Sequence, residues 1–168
     1  ELDAKIGDGD TGSSLANAAR SLRKAIDEFP LEEKAQFFSA VSELLSRSMG
    51  GSSGVLMAIM FSAAANKVKS GNDWKSALYA GLQRVMEMGG ARPGDRTFID
   101  ALGPALKKLQ ENNNLIEAAR AARLGSDRTR DMISAKAGRA AYVPKEYLTG
   151  VLDPGAEAVA LIFEGIVA

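Results

Sequence analysis

The sequence predicts an all-α fold, and three observations predict it. Apolar residues recur at intervals of three and four along most of the 168 residues, the period of a helix with one buried face. Breakers punctuate those runs at Pro30, Gly50-Gly51, Gly89-Gly90 and Asn112-Asn113-Asn114, where helices end and turns form. An alternating strand pattern reaches no further than Ala140-Tyr142-Val143.

The elements follow in order. Leu15, Ala18, Ala19, Leu22, Ile26 and Phe29 form the first stripe, stopped by Pro30. Phe37, Phe38, Val41, Leu44, Leu45 and Met49 form the second, closed by Gly50-Gly51. Val55 to Ala65 is almost wholly apolar and reads as a helix buried on most sides. Asp73 is placed to cap a fourth helix with Trp74, Ala77, Leu78, Leu82, Val85 and Met86 on its stripe. Thr97 with Asp100 resembles a capping box ahead of Leu102, Leu106 and Leu109. Leu115 to about Ala135 is alanine-rich and read as one helix, softened at Gly125. Residues 137–153 read as irregular, and Pro154 suits the first turn of a last helix over Ala156 to Val167. The expectation is one domain over residues 1–168 with about seven helical segments.

Composition excludes much. Lys+Arg and Asp+Glu both number 21, so no basic face for nucleic acid or an anionic membrane is indicated. No apolar run approaches the roughly 18 residues of a membrane span. Cysteine and histidine are both absent. That removes disulfides, zinc sites of the usual kind and a Ser-His-Asp triad. It also fits a cytoplasmic protein. A metal here must be held by oxygen, which favours Mg²⁺ or Ca²⁺.

Asp3-Ala4-Lys5-Ile6-Gly7-Asp8-Gly9-Asp10-Thr11-Gly12 is the stretch richest in chemistry. Asp8 and Asp10 flank a single glycine, and Asp3 lies five residues upstream of Asp8. Such a turn can converge carboxylates on a hard cation. A helix starting near Gly12, with Ser13 and Ser14, offers free N–H groups that favour phosphate. Read alone, the aspartates serve equally as turn and capping residues. An EF-hand loop counted from Asp8 needs Glu at its twelfth place, where Ala19 stands, and no P-loop motif occurs.

Three further features share this ambiguity. Gly50-Gly51-Ser52-Ser53-Gly54 leads into a helix, as an anion-binding loop or as a helix stop and turn. Asp153-Pro154-Gly155 is an ordinary helix start that could also face a ligand. Arg139, after Gly138, is a surface arginine or a phosphate contact, and Arg92 and Arg96 beside Pro93-Gly94-Asp95 are open in the same way. Phe98 reads as core or as one apolar wall for a purine.

Five blocks in order now carry a resemblance: residues 2–12, Gly50-Gly51-Ser52-Ser53-Gly54, Pro93-Gly94-Asp95-Arg96-Thr97, Gly138-Arg139-Ala140-Ala141-Tyr142 and Asp153-Pro154-Gly155-Ala156. Together they resemble the nucleotide-binding (L-type) domain of the dihydroxyacetone kinase family, most like the C-terminal domain of its ATP-dependent single-chain members. The resemblance implies an antiparallel barrel of eight helices, whose first helix would lie before Glu1 or be missing. It implies that Asp3, Asp8 and Asp10 hold two Mg²⁺ ions. Thr11, Gly12, Ser13 and Ser14 would wrap the phosphates of ATP or ADP. Ser52, Ser53 and Gly89 would line the nucleotide, with Phe98 where the family often has methionine against the base. Arg139 would be the catalytic arginine at the phosphates, and Asp153, Pro154 and Gly155 would close the far side.

The implied activity is phosphoryl transfer from Mg²⁺–ATP to dihydroxyacetone (glycerone) or a related short ketose. In this family the ketose is held by a histidine of a separate K-type domain, fused or not, through which homo-oligomers can form. The expected partner is that domain, with neither nucleic acid nor membrane. Thr11 stands where the branch linked to the phosphotransferase system often carries histidine, so threonine resembles the ATP-dependent branch. An ADP-binding subunit of that other branch and a nucleotide-dependent regulatory module are the alternatives.

Overall fold

The computed structural model describes residues 2, 3, 7 and 9–168. Among the described residues there are eight α-helices and three short 3₁₀ turns, with no strand. No helix among them is long and apolar enough to cross a membrane. The chain divides into two compact units, residues 12–89 and residues 1–11 with 90–168.

The first unit carries α1 (Thr11–Ala25), which begins one residue outside it, then α2 (Lys34–Ser48), α3 (Gly51–Lys69) and α4 (Trp74–Gly89). Ala18 of α1 packs with Val41, Leu45 and Met49. Phe38, Ala64, Ala65 and Ala77 join α2, α3 and α4 in a second cluster. The first stripe runs past its helix. Regular structure stops at Ala25 and a 3₁₀ turn covers Ile26–Glu28, yet Phe29 still packs edge-on to Phe37 at 5.6 Å. α3 is less enclosed than its composition suggests, since Val55 keeps 59% of its surface exposed. Within its unit α3 packs on α2 and α4, so only the faces turned to those neighbours close. Asp73 caps α4 as expected, accepting from the N–H groups of Lys75 and Ser76 at 3.0 and 3.2 Å.

The second unit carries α5 (Ile99–Asn112), α6 (Leu115–Arg128), α7 (Lys145–Leu148) and α8 (Pro154–Val167). Two residues join α5 to α6, too few for anything but an antiparallel return. Asn113 takes the left-handed conformation at φ 54° and donates to the Leu109 carbonyl. The Asn114 side chain then accepts from Ile116 and Glu117 to start α6. Ala101, Ala105, Ala118, Ala122, Ala156 and Ala160 are fully buried where α5, α6 and α8 pack. Their small side chains let the backbones approach closely. Arg123 on α6 bonds Glu157 and Glu164 of α8.

Three expectations change. The alanine-rich helix ends at Arg128, short of Ala135, and a 3₁₀ turn covers Thr129–Asp131. The buried Thr129 hydroxyl donates to the Ser126 carbonyl and accepts from the Asp153 N–H, which ties the chain off at that point. Ala140–Val143 is not strand-like, because Arg139–Tyr142 is a 3₁₀ turn whose Ala140 packs on Leu148. Finally, residues 137–153 include the short α7, which brings the helices among the described residues to eight where the periodicity suggested about seven.

Candidate functional site

The acidic turn is built around Asp3. Its carboxylate Oδ2 accepts from the Thr11 N–H at 2.9 Å, so it lies against the N-terminus of α1. Gly7 makes room for it: a Cβ on Gly7 would stand 2.0 Å from Asp3 Oδ1. Gly9 holds φ 79°, open to glycine and costly for other residues. Asp10 is exposed. Asp8, the central carboxylate of the expected metal set, lies outside the described residues.

Arg139 joins this turn from far along the chain. Its guanidinium Nη2 stands 3.8 Å from Asp10 Oδ2. Gly138 delivers it there, at φ 69° and ψ −170°, a region essentially reserved for glycine. Both side chains are more than half exposed, so the pairing adds little stability. Its significance is chemical: two features read separately in the sequence place a cation and a carboxylate side by side.

The Asp153-Pro154-Gly155 turn is more deeply set. Asp153 is buried, and its Oδ2 accepts from the Ala156 N–H at 2.9 Å, capping α8. Burial pushes its carboxyl up to about 6; Asp100 adds to the rise, while the Ala156 N–H and Arg96 oppose it. Gly155 fits beside Phe98, since a Cβ there would be 3.2 Å from that of Phe98 and 3.2 Å from Asp153 Oδ2. The expected base contact and the expected closing turn are therefore neighbours.

Sequence reasoning missed what supports this turn. Arg96 is fully buried at φ 62° and donates from Nη2 to the carbonyls of Leu148 and Val151 at 3.3 and 2.7 Å. Burial lowers its pKa, with Asp153 opposing. Asp100 holds the approach loop, accepting from Gly94 at 2.5 Å and from Thr97 at 2.8 Å. The Thr97 hydroxyl accepts from Ile99, while the Asp100 N–H goes to the Thr97 carbonyl, so only the carboxylate half of the expected capping box forms. The Pro93-Gly94-Asp95 turn flagged Arg96, but the acceptors that bury it lie 52 and 55 residues on and leave no local signal.

The unit of residues 12–89 carries the remaining expected residues. Ser52 and Ser53 are exposed in the first turn of α3, where the Ser53 hydroxyl donates to the Gly50 carbonyl at 3.2 Å. Gly54 folds that start tightly, for a Cβ would sit 2.3 Å from the Met49 carbonyl oxygen. Gly12 and Ser13 are exposed in the first turn of α1, Ser14 is half-buried there, and Gly89 is exposed at the end of α4.

The family described as DAK2 domain matches residues 5–168. The dihydroxyacetone kinase of Citrobacter freundii is 46% identical over 168 residues, an alignment covering 98% of this chain and 30% of that protein. The triokinase/FMN cyclase of Rattus norvegicus is 38% identical over 177 residues, with 98% and 30% covered. The crystal structure of the C. freundii dihydroxyacetone kinase in complex with AMP-PNP and Mg²⁺ superposes with a TM-score of 0.84 at 43% identity, covering 98% of this chain and 29% of that one. The chain thus spans about 30% of the length of these curated relatives.

Proposed function

Since this chain belongs to the DAK2 domain family, we propose that residues 1–168 act as one Mg²⁺–ATP-binding domain of a kinase for dihydroxyacetone or a related short ketose. The ketose would sit on a separate K-type domain, without which the reaction is incomplete. A cytoplasmic setting goes with this reading. The observation that most supports it is the approach of Arg139 to Asp10. A carboxylate turn for a metal and an arginine for phosphate charge meet in one place.

The residues present suit the metal. Every donor of the turn is oxygen, the preference of Mg²⁺. Oδ2 of Asp3 is engaged by the Thr11 N–H, and Oδ1 faces the space that Gly7 leaves clear. Asp3, Asp8 and Asp10 would hold two ions, which when bound would neutralise and align phosphate oxygens.

The remaining roles fall to the chain itself. Gly12, Ser13 and Ser14 present amides and hydroxyls at the start of α1, and Thr11 fixes Asp3 there. Ser52, Ser53 and Gly89 would line the nucleotide. Phe98 would offer an apolar face to the base, with Asp153, Pro154 and Gly155 beside it. Arg139 would stabilise charge on the transferring group, in a reaction that is mainly positioning and charge neutralisation. Mg²⁺-dependent binding of ATP and ADP, measured by calorimetry on the parent, Asp8→Asn and Asp10→Asn, tests the reading. Each variant should lose affinity by about tenfold or more while keeping its helicity. Parent-like affinity in both overturns the metal assignment.

A further inference from the structure

We propose that Arg96 is the positioning residue for the Asp153-Pro154-Gly155 turn, a role that rests on the nucleotide-binding reading above. Its setting is costly twice over. A non-glycine residue at φ 62° is strained, and a fully buried guanidinium loses its hydration. Such a residue persists where its surroundings over-determine it. Here they do so on both sides.

The backbone around Arg96 is fixed by Asp100, which takes the N–H groups of Gly94 and Thr97. The side chain then reaches the carbonyls of Leu148 and Val151, the last residue of α7 and the residue two before Asp153. Its charge acts on the Asp153 carboxylate itself. Nη2 is the guanidinium nitrogen that makes both of these carbonyl hydrogen bonds. From the other side, the Thr129 hydroxyl accepts from the Asp153 N–H. Arg96 also stands two residues before Phe98, against which Gly155 packs. One side chain therefore sets the height of the turn relative to the phenyl ring that borders it.

The test uses the 168-residue chain with Arg96→Lys, and Arg96→Gln as a second variant. Lysine keeps the charge but not the planar guanidinium whose Nη2 serves both carbonyls. Two readouts are taken: hydrogen exchange across residues 148–157, and Mg²⁺–ADP affinity beside affinity for Mg²⁺ alone. The expected result is faster exchange confined to that segment and Mg²⁺–ADP binding weakened about tenfold, the scale of one lost charged hydrogen bond. Binding of Mg²⁺ alone should stay at the parent's value. Parent-like exchange in the segment overturns the role, as does loosening spread evenly over the chain, or failure of both variants to fold. A parent that binds no Mg²⁺–ADP removes the proposed function instead, and the exchange measurement still decides Arg96.

Discussion

Gly125 of α6 lies against the main-chain carbonyl of Asp100 in α5: a Cβ on Gly125 would stand 2.1 Å from that oxygen and 2.8 Å from the Ala101 Cα. Four residues after Asp100 comes Pro104, which has no N–H to return to that carbonyl along the helix. The neighbouring backbone cannot yield as a flexible side chain would. Gly125→Ala should therefore destabilise the chain by about 1–3 kcal/mol, despite alanine's better helix propensity. Gly165→Ala on α8 meets nothing within 4 Å among the described residues and should stabilise by about 0.5–1 kcal/mol. Urea unfolding of both variants checks the contrast.

Asp153 links stability to pH. Its folded-state value of about 6 exceeds the ordinary 3.8, chiefly through burial. Between those values the folded chain holds a proton that the unfolded chain has lost. Stability should therefore fall as pH rises from about 4 to about 6, then level off. The drop from this group is at most about 3 kcal/mol. Asp153→Asn retains an acceptor for the Ala156 N–H and should flatten that limb. Denaturation midpoints across pH 3.5–7.5 in both chains, on a grid of about half a unit, measure it.

Arg123 ties α6 to α8 through Glu157 at 2.5 Å and Glu164 at 2.7 Å, while the Ser126 hydroxyl donates to Glu157. Burial raises the Glu157 pKa, but the Arg123 and Ser126 hydrogen bonds outweigh it and hold it below 4.5. That stabilisation is present above the ordinary glutamate range and is lost as pH falls through the depressed value. Arg123→Met should cost roughly 1–3 kcal/mol near neutrality. The deficit should shrink in acid. Arg123→Lys should restore less than half, since an ammonium cannot fork between two carboxylates. Thermal unfolding at pH 7 and pH 3.5 reads both effects.

Gly7→Ala tests the acidic turn without touching a carboxylate. The added methyl would occupy the place of Asp3 Oδ1. Mg²⁺-dependent ADP affinity should fall by about tenfold, with little change in the unfolding midpoint because Gly7 is exposed. Calorimetry beside circular dichroism separates the two.

What could be read from the residues alone was local. Asp73, the Thr97–Asp100 pair and Asp153-Pro154 each announce a helix start within three residues, and each forms. The end of α6 could not be read the same way. Nothing resembling a breaker stands at Arg128, and the stop depends on Thr129 meeting the Asp153 amide 24 residues on. Arg139 and Asp10 were both singled out, yet only the fold pairs them. Arg96 looked like Arg92, another loop arginine, until carbonyls from residues 148 and 151 buried it.

Gly138 sets the path of the chain just before Arg139, so the direction in which position 139 presents its side chain is decided by the main chain. Residue 139 is exposed, and this sequence contains no cysteine. Arg139→Cys would thus give the chain a single thiol, mounted beside the acidic turn on a backbone that needs no rebuilding. A fluorophore attached there would report whether a cation reaches the turn, with the arginine proposed for the phosphates given up.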